Sequence, residues 1–187
     1  MAMKEKIVVG VAGMPGAGKA TVKEMVQNMG YSVVVMGDEI REETKRRKLK
    51  PTPENMGLVM LELRKKESPC VVAKRCIPKI EKAKGEVVIV DGIRSSHEVE
   101  EFKKHFPNFT LFAIHASPRT RFQRLFKRQR SDDPKNWKTF MERDLRELNV
   151  GLGNAIATAD YMIVNEGTKV QLERKFRELF EGVIRGE

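Results

Sequence analysis

Lys6-Ile-Val-Val-Gly-Val-Ala-Gly-Met-Pro-Gly-Ala-Gly-Lys-Ala-Thr21 is the stretch from which the rest of the chain is read. An apolar, β-branched run from Ile7 to Val11 leads into a turn holding Gly13, Pro15, Gly16 and Gly18, and a helical pattern follows from Lys19 to Met29. Strand, glycine-rich turn and helix in this order, with the spacing Gly13-x-x-x-x-Gly18-Lys19, make a phosphate-binding loop. Residues without side chains let successive backbone N–H groups curl round an anionic diphosphate at the positive end of a helix. Gly13, Met14, Pro15, Gly16, Ala17, Gly18, Lys19, Ala20 and Thr21 are therefore the expected nucleotide cradle. Lys19 reaches the β- and γ-phosphates as a mobile point charge. The plainer reading, an ordinary glycine-rich turn, accounts less well for a strand and a helix on its two sides.

One position departs from the pattern. The residue after the lysine usually carries a hydroxyl that binds Mg²⁺, and here it is Ala20. Thr21 lies about 100° further round the helix and cannot simply replace that ligand. The expectation is that Thr21 contacts a more internal phosphate, while Mg²⁺ is held through water and acidic residues elsewhere.

A chain of 187 residues is long enough for one domain with a substantial core. No apolar run approaches a membrane span, and the residues ahead of the first strand do not read as a signal peptide, so a soluble, cytoplasmic protein is expected. Cys70 and Cys76 stand at neither redox nor zinc spacing and read as packing residues of a helix. The net charge of +10 points to an anionic partner: a nucleotide, a phosphorylated metabolite or nucleic acid.

Tyr31 to Met36 reads as a second strand closed by Gly37-Asp38, which places Asp38 and Arg41 beside the loop at the carboxyl ends of the strands. Helical pattern then runs to Lys84, broken at Pro51-Thr-Pro53, where Thr52 caps, and restarted at Ser68-Pro69 with a kink expected at Pro78. Glu86 to Val90 is a third strand ending in Asp91, the usual place for a metal-side carboxylate. Ser95 and Glu98 form a capping box for the next helix. Phe109 to His115 is a fourth strand. The helix after Ser117-Pro118 turns Phe122, Leu125 and Phe126 inward and carries cations but no carboxylate. Among these, Arg128 and Arg130 are read as phosphate-facing, because guanidinium forks match phosphoryl oxygens. Ser131-Asp-Asp-Pro134 is a polar break suited to a small lid, and the helix from Lys135 to Leu148, with interleaved charges, reads as a solvated one. A glycine-rich break follows from Asn149 to Gly153. Tyr161 to Val164 is a fifth strand, and Thr168 with Gln171 caps a last amphipathic helix. The alternation gives an α/β fold, three layers around a five-stranded parallel sheet.

With these segments in place the chain resembles the small P-loop kinases, in particular the adenylate-kinase-related, dephospho-coenzyme-A-kinase-like proteins of archaea. Met36-Gly-Asp-Glu-Ile-Arg41 is similar to the segment that opens the acceptor-binding helices of adenylate kinases, and Asp91-Gly-Ile-Arg94 to the one whose arginine holds the acceptor phosphate. Arg128-Gln-Arg-Ser-Asp-Asp133 is similar to their lid, and Ala159-Asp-Tyr-Met-Ile-Val-Asn165 to a dephospho-coenzyme A kinase stretch beside the donor adenine. The resemblance implies a single domain over 1–187, with a helical acceptor-binding insertion at 38–84 and a lid at 128–136. It further implies transfer of the γ-phosphoryl group of ATP, with Mg²⁺, to a nucleoside monophosphate or dephospho-coenzyme A. Lys19 would hold the donor, Arg41 and Arg94 the acceptor phosphate, and Arg128 and Arg130 the γ-phosphate. Asp38 takes the proton if the acceptor is a hydroxyl, and serves the metal shell if it is a monophosphate. Two other classes fit the charge: an RNA-associated P-loop ATPase or switch, and a nucleotide-binding protein without transferase activity. The scarcity of tryptophan and tyrosine, and phenylalanines on expected core faces, weigh against the RNA reading.

Overall fold

In a computed structural model, residues 6–130 and 133–186 are described. Ser131 and Asp132, part of the expected lid, lie outside them. The chain runs β1 (Ile7–Ala12), α1 (Lys19–Asn28), β2 (Ser32–Val35), α2 (Met36–Arg46), α3 (Pro53–Lys66), α4 (Val71–Lys82) and β3 (Val87–Ile93). It continues through α5 (Ser96–His105), β4 (Asn108–His115), α6 (Pro118–Arg128), α7 (Trp137–Val150), α8 (Leu152–Ala157), β5 (Tyr161–Val164) and α9 (Lys169–Arg185).

The strands form one parallel sheet in the order β2-β3-β1-β4-β5. A parallel sheet covered on both faces needs strands that are apolar on both sides, which is what the unbroken runs of β1 and β3 supply. Val8 and Ala12 of β1 belong to a core shared with residues of α3, α4, α5 and α8, whereas Val9 and Val11 belong to a second core with α1 and α9. From β1 the chain crosses to the outer strand β2, returns to β3 beside β1, and then crosses to β4 on the other side. The carboxyl end of β1 is thus the point where the winding reverses, and there a parallel sheet opens a crevice.

Several local expectations are corrected. β2 ends at Val35, and Gly37 and Asp38 already lie in the first turn of α2. β3 continues through Asp91 to Ile93, with a register shift opposite Val11 and Ala12 and a positive φ of 99° at Gly92. Asp91 is therefore held inside a strand. Ser95 does cap α5, accepting from the Glu98 N–H at 3.3 Å, but the Glu98 carboxylate takes the N–H of Arg94 at 2.8 Å. Cys70 is the residue before α4 starts, and only Cys76 is packed within it. The Asn149–Gly153 break shrinks to a left-handed turn at Gly151, followed at once by α8. Phe126 does not point inward: it is half exposed. The caps at Thr52 and at Thr168 with Gln171 are present. No helix among the described residues is long and apolar enough to cross a membrane.

Candidate active site

The loop between β1 and α1 is shaped by close approach. Gly16 has φ of 82°, and a Cβ there would lie 2.8 Å from the carbonyl oxygen of Arg121. Gly18 has φ of 121°, and a Cβ there would strike the side-chain amide of Asn165. That amide donates to the Ala17 carbonyl at 2.8 Å, and the Asn165 N–H donates to the His115 carbonyl at 2.7 Å. The end of β5 thereby braces the loop from behind. Gly18 supplies no side-chain cap, and the first turn of α1 holds no acid. The initial amides of α1 are left for an anion, at the end of the helix dipole that favours one.

Lys19 Nζ donates to the carbonyl oxygens of Gly13 and, at 3.4 Å, Met14. Burial lowers its pKa to about 8, partly opposed by the charges of Asp91 and Glu147 and reinforced by those of Arg94 and Arg143. Groups from β3, the turn after it and α7 thus converge on one ammonium. Arg94 Nη1 donates to both carboxylate oxygens of Glu147 at 2.9 Å. Behind it, Glu98 is fully buried and accepts from Arg64 at 2.7 Å, fastening α3 to the turn that carries Arg94. Asp91 Oδ1 is buried without a hydrogen-bond partner. Ala20 is exposed and Thr21 half-buried at the start of α1.

An orphan carboxylate oxygen beside a phosphate loop is a hard ligand with lone pairs unused, which fits Mg²⁺. Among the described residues there is no group of three or more His, Cys, Asp or Glu able to hold a metal on its own. That also fits, since Mg²⁺ in such sites keeps waters and takes phosphate oxygens as ligands.

At the end of α6, Arg128 donates from Nε and Nη2 to Asp133 at 2.9 and 2.5 Å, and the Arg130 N–H donates to the same carboxylate at 2.9 Å. Burial raises the Asp133 pKa, but these bonds and the nearby guanidinium charges bring it below the usual range. Arg143 stands 4.0 Å from Asp133, and so bridges the Arg128–Asp133 pair and the surroundings of Lys19. Asp38 and Arg41 pair with each other on α2, both about half exposed.

The structure thus gathers Lys19, Asp91 and Arg94, joins Arg128 and Arg130 through Asp133, and couples Asp38 to Arg41. Sequence reasoning missed the contribution of α7. Its interleaved charges are not all solvated: Asp144 is buried, Arg143 and Glu147 turn to the site. Nor did it single out Arg121 among the cations of α6. Arg121 is buried, bidentate to Asp144 at 2.8 and 2.5 Å, and donates to the Ala116 and Pro15 carbonyls at 3.0 and 3.2 Å. Its guanidinium lies 5.0 Å from the centre of the Phe140 ring. The available signal was a charge at an apolar station on each helix, Arg121 four before Leu125 and Asp144 four after Phe140.

Known proteins agree with this architecture. The chain has the fold of a shikimate kinase from Bacteroides thetaiotaomicron, with a TM-score of 0.58 at 15% identity over 94% of this chain and 98% of that one. A gluconokinase from Sinorhizobium meliloti gives 0.56 at 12% identity over 96% and 94%. The α/β P-loop kinase fold is shared, and at this identity the likeness extends to fold alone. A UPF0200 protein from Pyrococcus furiosus is 47% identical over 182 residues, covering 93% of this chain and 98% of the relative. Residues 12–141, from the phosphate loop into α7, match the AAA domain family. The chain belongs to that family and to the UPF0200 proteins.

Proposed function

We propose that the chain is an ATP-dependent phosphotransferase that moves the γ-phosphoryl group of ATP to a small phosphorylated acceptor, a nucleoside monophosphate or dephospho-coenzyme A. The observation that carries this reading is the convergence on Lys19 of charges from three separate elements, with the Asp91 oxygen unpaired beside them. Such transfer needs little covalent help, because alignment and stabilisation of spread negative charge supply most of the rate.

In this reading the loop amides and Lys19 hold the donor phosphates, and Asn165 braces the loop beside the adenine. Arg94 and Arg41 take the acceptor phosphate; Glu147 and Asp38 are the carboxylates they pair with. The segment 38–84 is the acceptor-binding insertion. Arg128 and Arg130 are carried by the lid, 128–136; on closing, the Arg128 guanidinium exchanges Asp133 for the γ-phosphate and that of Arg130 joins it, and exclusion of water then suppresses hydrolysis. Bound Mg²⁺ would supply charge neutralisation at the phosphates, with Asp91 as the carboxylate on its side. If the acceptor is a hydroxyl, Asp38 accepts its proton as the new P–O bond forms and ADP leaves.

The test is purified protein with Mg²⁺-ATP and a panel of nucleoside monophosphates, dephospho-coenzyme A, shikimate and gluconate, read by product mass. A phosphorylated monophosphate or coenzyme A is expected, with Lys19→Ala lowering the rate at least about 100-fold. Product from shikimate or gluconate alone would overturn the acceptor class. No product from any acceptor, or full activity in Lys19→Ala, would overturn the reading itself.

A further inference from the structure

Helices α6 and α7 carry a surface that phosphoryl transfer leaves unused. Phe126 and Trp137 are 50% and 47% exposed. Yet both are seated on Phe122, at ring-centre distances of 5.8 and 5.4 Å, and Trp137 also rests against the buried Phe140 at 5.1 Å. The rings are therefore backed by the core on one side and open to solvent on the other.

Their surroundings are cationic on α6 and at the start of α7, while further along α7 exposed Met141, Leu145 and Leu148 continue the apolar side from Trp137. At about 100° per residue, Arg119 and Lys127 fall within roughly 100° of Phe126 on the helix, and both are exposed. Lys135 and Lys138, also exposed, flank Trp137. α6 contains no carboxylate; on α7 Asp144 shares the side of Trp137 but is buried in its pair with Arg121, and Glu142 lies about 140° round from Trp137. Arg121 leaves α6 about 140° away from Phe126, toward the Pro15 carbonyl and Asp144. Phe126 thus lies away from the side of α6 on which Arg121 and Leu125 meet Gly16 of the phosphate loop.

Aromatic faces embedded in lysine and arginine suit a polyanion that also offers flat apolar faces. A duplex offers phosphates but keeps its base faces stacked; a single strand offers both. We propose that the Phe126–Trp137 surface binds single-stranded nucleic acid, with bases stacked on the two rings and phosphates on the cations around them. The proposal goes beyond the phosphotransferase reading and does not depend on it.

Trp137 is the single tryptophan of the chain, so its fluorescence reports stacking directly. The probe is a twelve-nucleotide oligouridylate, with oligothymidylate and a duplex of equal length in parallel arms, titrated into nucleotide-free full-length protein. Quenching of Trp137 by both single strands is expected, with the duplex binding more weakly. By anisotropy of labelled oligouridylate, Phe126→Ala or Trp137→Ala should each weaken binding by about 5- to 150-fold. Phe126→Tyr and Trp137→Phe, which keep the rings, should stay close to wild type. Lys127→Glu with Lys138→Glu leaves the aromatic packing intact, and should weaken binding and lower the salt slope by about 0.7 for each phosphate no longer neutralised. Absence of binding at 50 mM salt (about the low end for such interactions) would overturn the proposal. So would equal affinity for the duplex and for the Phe126→Ala, Trp137→Ala double variant. Sedimentation showing a wild-type dimer that this double variant dissociates, with oligouridylate leaving Trp137 emission unchanged, would assign the surface to a second copy of the chain instead.

Discussion

Lys19 is held by carbonyl oxygens of its own loop, and its pKa of about 8 follows from burial that the neighbouring carboxylates only partly offset. A phosphate is held by the ammonium form. Because the free-protein pKa is depressed, the charge is present below about pH 8 and lost as the pH rises through it. ADP affinity should therefore fall above pH 8, approaching tenfold per pH unit, when followed by calorimetry. Lys19→Arg, charged throughout this range, should flatten the profile. A wild-type dissociation constant unchanged from about pH 7 to about pH 9.5 would mean that this charge does not hold the phosphate. Asp91 gives a second, separable outcome. Asp91→Asn should raise the Mg²⁺ concentration needed for half-maximal nucleotide binding about tenfold or more, while leaving metal-free ADP affinity unchanged. Equal metal dependence in both proteins would remove Asp91 from the metal's surroundings.

α7 joins the surroundings of Lys19, the Asp133 segment and the turn after β3, and its fastening to α6 is the Arg121–Asp144 pair, both partners almost wholly buried. Removing one partner strands the other charge. Arg121→Ala should cost about 3–5 kcal/mol in urea unfolding, whereas replacing both residues by leucine should recover most of the loss. If the single and double variants are equally destabilised, packing and not the stranded charge sets the cost. This pair was hidden in the sequence because periodicity assigns faces to one helix at a time, and the partners are 23 residues apart. The same holds for Glu43. Burial pushes its pKa up, but Arg47, Arg75 and Arg46 together bring it down to about 2. It is the hub through which α2 grips α4, and Arg47 extends the network to Glu62 of α3. The stability it contributes is complete above the ordinary carboxylate value near 4.5 and is lost as the pH falls toward 2. Hydrogen exchange in acid should show α2 and α4 opening at a higher pH than β1 and β3. In Glu43→Gln that opening should already be present at neutral pH. Simultaneous loss of protection in all four elements would show that α2 and α4 do not open separately.

For the whole molecule, legibility divides by the range of the interaction. The phosphate loop was readable because its shape is dictated within six residues, by backbone freedom at Gly16 and Gly18 and by an apolar run on one side. The five strands were readable because a doubly covered parallel sheet demands apolar runs. Their spatial order, with β3 between β1 and β2, was not, since no local pattern encodes which strands are neighbours. Nor was the ring of charge around Lys19, assembled from β3, its following turn and α7. The net charge of +10, in contrast, acts at a distance that needs no such detail. An excess of cations steers an anionic nucleotide over about 8–10 Å at moderate ionic strength and is screened beyond that. Once bound, the phosphates are held by short-range amide contacts that salt screens far less. Stopped-flow measurement with a fluorescent ADP should therefore show an association rate falling about tenfold or more as NaCl is raised from roughly 20 to roughly 500 mM. Dissociation should change less than about threefold, because short contacts at the loop govern it. A flat association rate with dissociation rising steeply would place the electrostatic contribution in the bound complex, and would make the excess positive charge irrelevant to how nucleotide arrives.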